Sequence, residues 1–562
     1  MEQGRIVIAI VLSIIVFLVW DTFFSGKQNI KNQEKKDKVV QTEKKTQKDE
    51  LIEKPHAKEK NIEVVKEIIE SQDELKTQEK PARTISVNTP LYSVRISEKG
   101  ALFKSFILKK YREAVEKDAP YKEIIVKKNT EGSIIFGLEE KSINGIENAV
   151  FLSNIKEDTV NVVNENRKVS FSWKSPKGII FEKVFSFSPE EYTIGLSISI
   201  KNGSGQVFND KIKLSLRKYF KQEKAMYGFE GPSALINNKL EQIKVKKIDD
   251  KNTFTGTFKW IALQDRYFMS SILPENNSDT QEGTMKLVFK DDILEAHYIQ
   301  PNIMINPGTQ KKIEYKLFFG PKSMKVLKKT GHSLEKAIDF GMFDILAKPC
   351  LWIMNFLHDN FIQNYGIAII ILTMLIKIVL WPLGTKSYKS MGEMKKIQPL
   401  MAEIREKYKN DKKKMNQEVM LLYKTYKVNP VGGCLPMIVQ LPVFFALYRM
   451  LYEAIELRHA PFFLWINDLS APDRLFNFGF SIPFMEPPSG IPVLTIIMGA
   501  SMLLQQKMSP PMGDPMQAKM MMFMPIIFTV IFINFSSGLV LYWLINNLLS
   551  MAQQHYITKK NA

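Results

Sequence analysis

NYGIAIIILTMLIKIVLWPL, residues 364–383, is the stretch that decides how the rest of the chain reads. A helix needs about 20 predominantly apolar residues to cross a bilayer, and this run has that length, interrupted at Thr373 and Lys377. Four residues apart, the hydroxyl and the ammonium share one helix face. A Lys near the centre of a spanning helix costs about 2.5–3.5 kcal/mol on insertion scales, so its head must turn away from lipid. Either the side chain snorkels to the headgroups, or it faces a water-filled cavity among helices. Thr373 on the same face, and polar residues on later apolar runs, favour the cavity.

Outward from that run the chain changes character. At 562 residues it holds more than one domain. Its first three-fifths is polar and Lys-rich, and the remainder is dominated by apolar runs. A formal charge of +19, from 78 Lys and Arg against 59 Asp and Glu, points to anionic partners such as RNA or anionic phospholipid; no DNA partner is expected. Cys350 and Cys434 give neither a disulfide framework nor a metal knuckle, and are expected on opposite sides of a membrane.

Before the central run, IVIAIVLSIIVFLVW (residues 6–20) reads as an uncleaved signal-anchor helix within residues 1–25, since no small-x-small site follows it. Residues 26–82 are Lys, Glu, Gln and Asp with few aromatics, a disordered charged tether. Residues 83–330 carry short period-two runs such as KGIIFEKVFSFS and YTIGLSISIKNG between turn signals, which argues an all-β sandwich. No paired carboxylates or phosphate loop appear in it, His297 and, just past it, His332 stand alone, and WIALQDRYF (260–268) reads as a packed edge ahead of a partner-docking surface or a relic of sugar binding. Residues 331–362 have apolar positions at helical spacing but carry Asp339, Asp344, Lys348 and Asp359; they predict an amphipathic helix lying at the outer interface.

After the spanning segment 363–386, residues 387–428 read as a helical hairpin turning at Asn410 and Asp411, with apolar positions Ile397, Leu400, Ile404, Met420, Leu421 and Tyr423. Its Lys and Arg outnumber its acids about two to one in a short loop, so the positive-inside rule places it in the cytoplasm and the β-domain across the membrane. Residues 429–453 predict a spanning helix kinked at Pro436 and Pro442 with Gln440 between them. An outer loop (454–490), a helix (491–508), a short cytoplasmic loop (509–519), two helices (520–556) and a tail (557–562) complete the chain. Tyr542 and Asn546 again share one helix face. Counting the anchor, six helices cross and both termini are cytoplasmic. Methionines cluster around one cytoplasmic loop, among them Met508, Met512, Met516 and Met520; flexible thioethers suit a promiscuous apolar binding surface. At this point a secondary transporter, which would show inverted repeats, and a membrane-embedded hydrolase using Lys377 with Ser or Thr stay open beside a non-enzymatic groove.

The residues AIDFGMF (337–343), NYG (364–366), KVNPVGGCLPMIVQLPVFFALY (427–448), ELRHAPFFLWINDLS (456–470), DPMQAKMMMFMP (514–525) and SSGLVLYWLINN (536–547) resemble the YidC/Oxa1/Alb3 family of membrane-protein insertases in its Gram-negative bacterial form. YFMSSILP (267–274) and FFGPK (318–322) extend the likeness, more loosely, into the β-region. The resemblance implies a polytopic helical core whose five conserved helices enclose a hydrophilic groove, a large periplasmic β-supersandwich, and a cytoplasmic hairpin that receives clients. It implies an inner-membrane insertase and chaperone rather than an enzyme, with no cofactor. The implied partners are nascent membrane proteins, ribosome–nascent chain complexes, the Sec translocon, and the signal recognition particle or its receptor. Groove positions carry over to Lys377, where the family usually has Arg, and to Thr373, Gln440, Tyr542 and Asn546. Residues 475–490 are extra to many members, and no long basic ribosome-binding tail is expected after Tyr556.

Overall fold

Alternation of apolar and polar residues becomes sheet in the first part of the chain. In Ile179–Phe187 every second side chain is buried and the rest half-buried, the period a pleated strand imposes. The computed structural model describes residues 82–125, 132–221, 228–275, 282–428, 435–508 and 515–561. All lie in one of two structural units, Asn61–Ala562; the other, Met1–Lys60, holds the expected anchor helix and lies outside the described residues, as does the expected tether up to residue 81.

Two sheets dominate residues 84–321. A 13-stranded sheet has Thr253–Gln264, Phe268–Glu275, Gln310–Pro321, Thr193–Asn202, Ile179–Phe187 and Arg167–Lys174 side by side through its middle. A five-stranded sheet is built on Leu102–Arg112, Tyr92–Ser97 and Thr84–Asn88. Neighbours are antiparallel except where Ser86 registers with Thr159 in a parallel pair. The sheets meet through aromatic rings. Phe106 stacks on Phe319 at 4.8 Å between centroids, and Phe103 lies 5.2 Å from Phe185. This is a large β-sandwich. Trp260, in the segment expected to pack, is fully buried, but the turn that follows it does more, as described below.

The remainder is helical: α1 (Met324–Thr330), α2 (Asp344–Asn360), α3 (Tyr365–Val379), α4 (Trp381–Lys407), α5 (Lys412–Thr425), α6 (Leu435–Glu453), α7 (Val493–Met508), α8 (Pro515–Phe532) and α9 (Ser537–Asn561). The amphipathic helix expected over 331–362 is helical as α2 only from Asp344. Positive φ at Gly331, His332, Ser333 and Gly341 breaks the earlier part into turns. The apolar face of α2 still points outward through Ile345, Trp352 and Phe356.

The opening stretch is not one straight helix. Asn364 caps α3 by accepting from the Ile367 amide at 3.1 Å, and α3 ends at Val379. Pro382 sits in the first turn of α4, where its missing N–H costs nothing but where it cannot continue α3. A 66° bend separates the two helices. Among the described residues no single helix is long and apolar enough to cross a membrane; α3 and α4 together meet that test with their bend.

The chain reverses between α4 and α5 near Asn410, with Asp411 capping α5 by accepting from the Lys414 amide. Met394, Ile397, Met401 and Val428 form a small core for this hairpin, with Val419, Leu422 and Tyr423 against it. Met420 and Leu421, two of the apolar positions read for the hairpin, are 58% exposed each. Helical spacing from Val419, Leu422 and Tyr423 puts these two on the opposite side of α5.

Candidate functional site

Helix α9 runs through the middle of the helical part, packed against α3, α4, α6 and α7. Its side chains at intervals of three and four residues are polar, and several of them meet neighbouring helices. Tyr542 is buried and hydrogen-bonds to the half-buried Gln440 of α6. Asn546 is half-buried, and its carbonyl accepts from Ser550 Oγ at 2.7 Å. Ser550 Oγ accepts in turn from Lys377 Nζ of α3 at 2.6 Å, and Tyr388 of α4 hydrogen-bonds to the same hydroxyl.

Lys377 is half-buried near the end of α3. Its partner is a hydroxyl, which orients the ammonium without neutralising it. Of the five positions singled out for the groove, the structure joins Lys377 to the Asn546 carbonyl through Ser550, and Gln440 to Tyr542. Thr373 is different. It is buried, and its Oγ1 donates to Ile369 O at 2.7 Å, so its hydroxyl is turned back onto its own helix.

Four more polar residues of α9 escaped the sequence reading. Asn547 Nδ2 donates to Ser501 Oγ of α7 at 3.1 Å. Gln554 Nε2 donates to Met508 O at 2.9 Å, satisfying a carbonyl at the end of α7. Gln553 Nε2 donates to Trp381 O at 3.0 Å, just past the bend between α3 and α4. Ser550 is the fourth. The signal was present, because Asn546, Ser550 and Gln554 repeat the four-residue spacing already noticed at Tyr542 and Asn546.

Of the methionines, Met508 ends α7 with its side chain 39% exposed, and Met520 is half-buried on α8. Met512 lies outside the described residues, as does the side chain of Met516. Met522 and Met524 of α8 are exposed.

The opposite end of α6 meets the β-sandwich. Arg266, in the turn after Thr253–Gln264, lies 3.5 Å over the Tyr452 ring, and its Nε donates to Tyr452 O at 2.7 Å. Arg458 Nη2 donates to Arg112 O at 2.7 Å, and Ser323 Oγ to Glu456 Oε1 at 3.1 Å. Burial holds the Glu456 carboxyl above its ordinary range, and burial lowers the Lys322 ammonium against the pull of nearby Glu453. WIALQDRYF therefore ends in a docking surface for this chain's own helix.

Comparison with known proteins divides the chain similarly. Residues 356–562 match the family described as 60Kd inner membrane protein, and residues 84–353 match the YidC periplasmic domain. The membrane protein insertase YidC of Syntrophus aciditrophicus is 44% identical over 480 residues, covering 85% of each chain. That of Syntrophobacter fumaroxidans is 40% identical over 482 residues, covering 84% of this chain and 86% of the other. A crystal structure of an active YidC insertase with its first transmembrane domain resolved aligns over 85% of this chain and 93% of that one. At 18% identity and a TM-score of 0.37 it is too distant to bear on the details above.

Proposed function

The chain belongs to the YidC family of membrane protein insertases, and we propose that it inserts and helps fold its clients through a hydrophilic groove centred on Lys377. A polar segment crossing undisturbed hydrocarbon leaves backbone groups unpaired at several kcal/mol each. A groove reaching part of the way in shortens that passage. A cation within it stabilises the acidic outer segment of an incoming protein, and the client's apolar helix then leaves sideways into lipid. The drive is the client's own hydrophobic transfer together with the membrane potential, about 2.3 kcal/mol per charge per 100 mV.

The observation that carries this reading is the Lys377 Nζ to Ser550 Oγ contact within the polar face of α9. It supports an ammonium held in place among helices yet left charged. In the same reading six helices cross the inner membrane, both termini and the basic hairpin are cytoplasmic, and the sandwich is periplasmic. The hairpin and the methionines around residues 508–524 receive clients from ribosome–nascent chain complexes, with the Sec translocon, the signal recognition particle or its receptor, and anionic lipid as further partners. Lys377 keeps the positive charge of the family's usual Arg without its planar fork.

One observation favours a second reading: a Ser and a Lys at 2.6 Å are the pair a membrane hydrolase requires. The proton argues against it. Ser550 Oγ donates to Asn546 O, so Lys377 meets the hydroxyl as a donor and not as its base.

The test compares Lys377→Arg, Lys377→Ala and Lys377→Glu in reconstituted vesicles, reading protease protection of an inserted client with an acidic outer segment. Arg retains insertion and Ala slows it. Glu loses at least about tenfold, equivalent to about 1.4 kcal/mol. Equal rates for all three would overturn the groove.

A further inference from the structure

Residues 475–490, LFNFGFSIPFMEPPSG, form a loop that the insertase reading leaves without a role. It is held firmly. Leu475 and Ile491 exchange two backbone hydrogen bonds at its base, at 2.8 and 2.9 Å. Arg474 spans its foot, with Nε donating to Pro488 O at 2.9 Å and Nη1 to Ile533 O at 2.8 Å. Asn534, just beyond α8, donates to Phe484 O and accepts from the Glu486 amide, both at 2.9 Å. On this fixed frame four phenylalanines point outward. Phe476 is 68% exposed, Phe480 64% and Phe484 86%; Phe478, at 37%, stacks on Phe480 with centroids 5.6 Å apart. Glu486 is the loop's single charge.

A tethered loop that turns four aromatic rings into water is anomalous, because large exposed apolar patches mark surfaces meant to be covered. What covers this one is indicated by its neighbours. The loop is bonded to the residues just beyond α8 and leads directly into α7. The exposed side chains nearest it along those helices are Ile496 and Ile497 on α7 and Val530 and Ile531 on α8. The loop thus joins the ends of two helices whose outer side chains are apolar, its rings interleaved with Asn477, Ser481 and Pro483; in the placement proposed above, those are the ends at which α7 and α8 leave the membrane. Aromatic rings beside small polar groups suit the boundary between headgroups and acyl chains.

We infer that residues 475–490 insert Phe476, Phe480 and Phe484 into the headgroup–acyl boundary of the leaflet facing the β-sandwich, as a lipid anchor for the ends of α7 and α8. This rests on the membrane placement proposed for those helices.

The test uses the full chain with Cys350→Ala and Cys434→Ala, spin-labelled at Phe484→Cys. Phe480→Cys stands in if the first label disturbs the loop. Reference labels are placed at Ile527→Cys on exposed α8 surface and at Val207→Cys on the exposed sandwich surface. In vesicles of phosphatidylethanolamine and phosphatidylglycerol, relaxation by oxygen is compared with relaxation by a nickel chelate. The oxygen-to-nickel ratio in the loop is expected several-fold above that at residue 207 and near that at residue 527. A loop ratio equal to that at 207, with 527 in lipid, overturns the anchor and leaves the membrane placement standing; it would point to a protein partner. A watery 527 overturns both.

Discussion

Lys183 occupies a position where strand alternation calls for an apolar side chain. It lies on the inward face between Phe181 and Phe185, fully buried, with Nζ donating to Gly100 O at 2.6 Å and rings of Phe136 and Phe151 at 5.0 and 4.7 Å. Burial lowers its ammonium from 10.5 to about 7. In the unfolded chain the proton stays on until 10.5, so between those pH values the unfolded state binds more protons and stability rises with pH. The gain is about 1.4 kcal/mol for each pH unit between the two values, a few kcal/mol in all. Lys183→Met removes that slope and stabilises the sandwich at pH 7. Denaturation midpoints at pH 7.5 and 9.5 check this: the wild type gains on the variant across the window, and parallel behaviour of the two refutes it. At this scale the sequence was partly legible. Lys377 announced itself because one charge in a long apolar run is conspicuous. Lys183 did not, because a Lys among alternating residues looks like any exposed one, and only the three-dimensional packing of distant rings makes it inward.

Helices after residue 343 were legible in order more than in extent, while α1 fell inside the stretch expected to be sheet. Apolar runs located α3, α6, α7, α8 and α9 within a few residues, but the end of α3 depended on Pro382 and the start of α2 on four residues with positive φ. Backbone conformation, not apolar content, decided both. Close approach between elements was not legible at all. A Cβ at Gly366 in α3 would lie 2.0 Å from the Phe462 ring, and one at Gly499 in α7 would lie 2.2 Å from Thr529 Oγ1 of α8. Gly366→Ala is therefore expected to destabilise by about 1–3 kcal/mol through overpacking. Gly392→Ala, on open surface of α4, is expected to stabilise by about 1 kcal/mol from helix propensity alone. Thermal unfolding of the two variants should shift in opposite directions. A stabilising shift in both would mean that the ring of Phe462 moves aside freely, and a destabilising shift in both would refute the helix-propensity gain at residue 392.

Across the whole molecule, the division into a β-rich and a helical part followed from two hydrophobic periods in one chain. The order of the strands did not. Gln310–Pro321 lies between Phe268–Glu275 and Thr193–Asn202, and the latter partner is over a hundred residues away, a pairing no local pattern encodes. The joint of Arg266 with Tyr452 and of Arg458 with Arg112 was equally hidden, since it couples residues far apart in sequence through rings and carbonyls. It joins the sandwich to α6, and the main apolar cluster runs continuously from one to the other. The hairpin of α4 and α5, tied to α9 at its foot through Trp381 and Tyr388, has beyond that its own small core of four buried residues. Unequal cores open at unequal free energies, since few buried contacts mean local rather than global unfolding. Backbone amides of α5 should therefore exchange with deuterium much sooner than those of Ile179–Phe187, in a transition that leaves the sandwich protected. Such a segment can melt and re-form while the rest of the molecule keeps its shape.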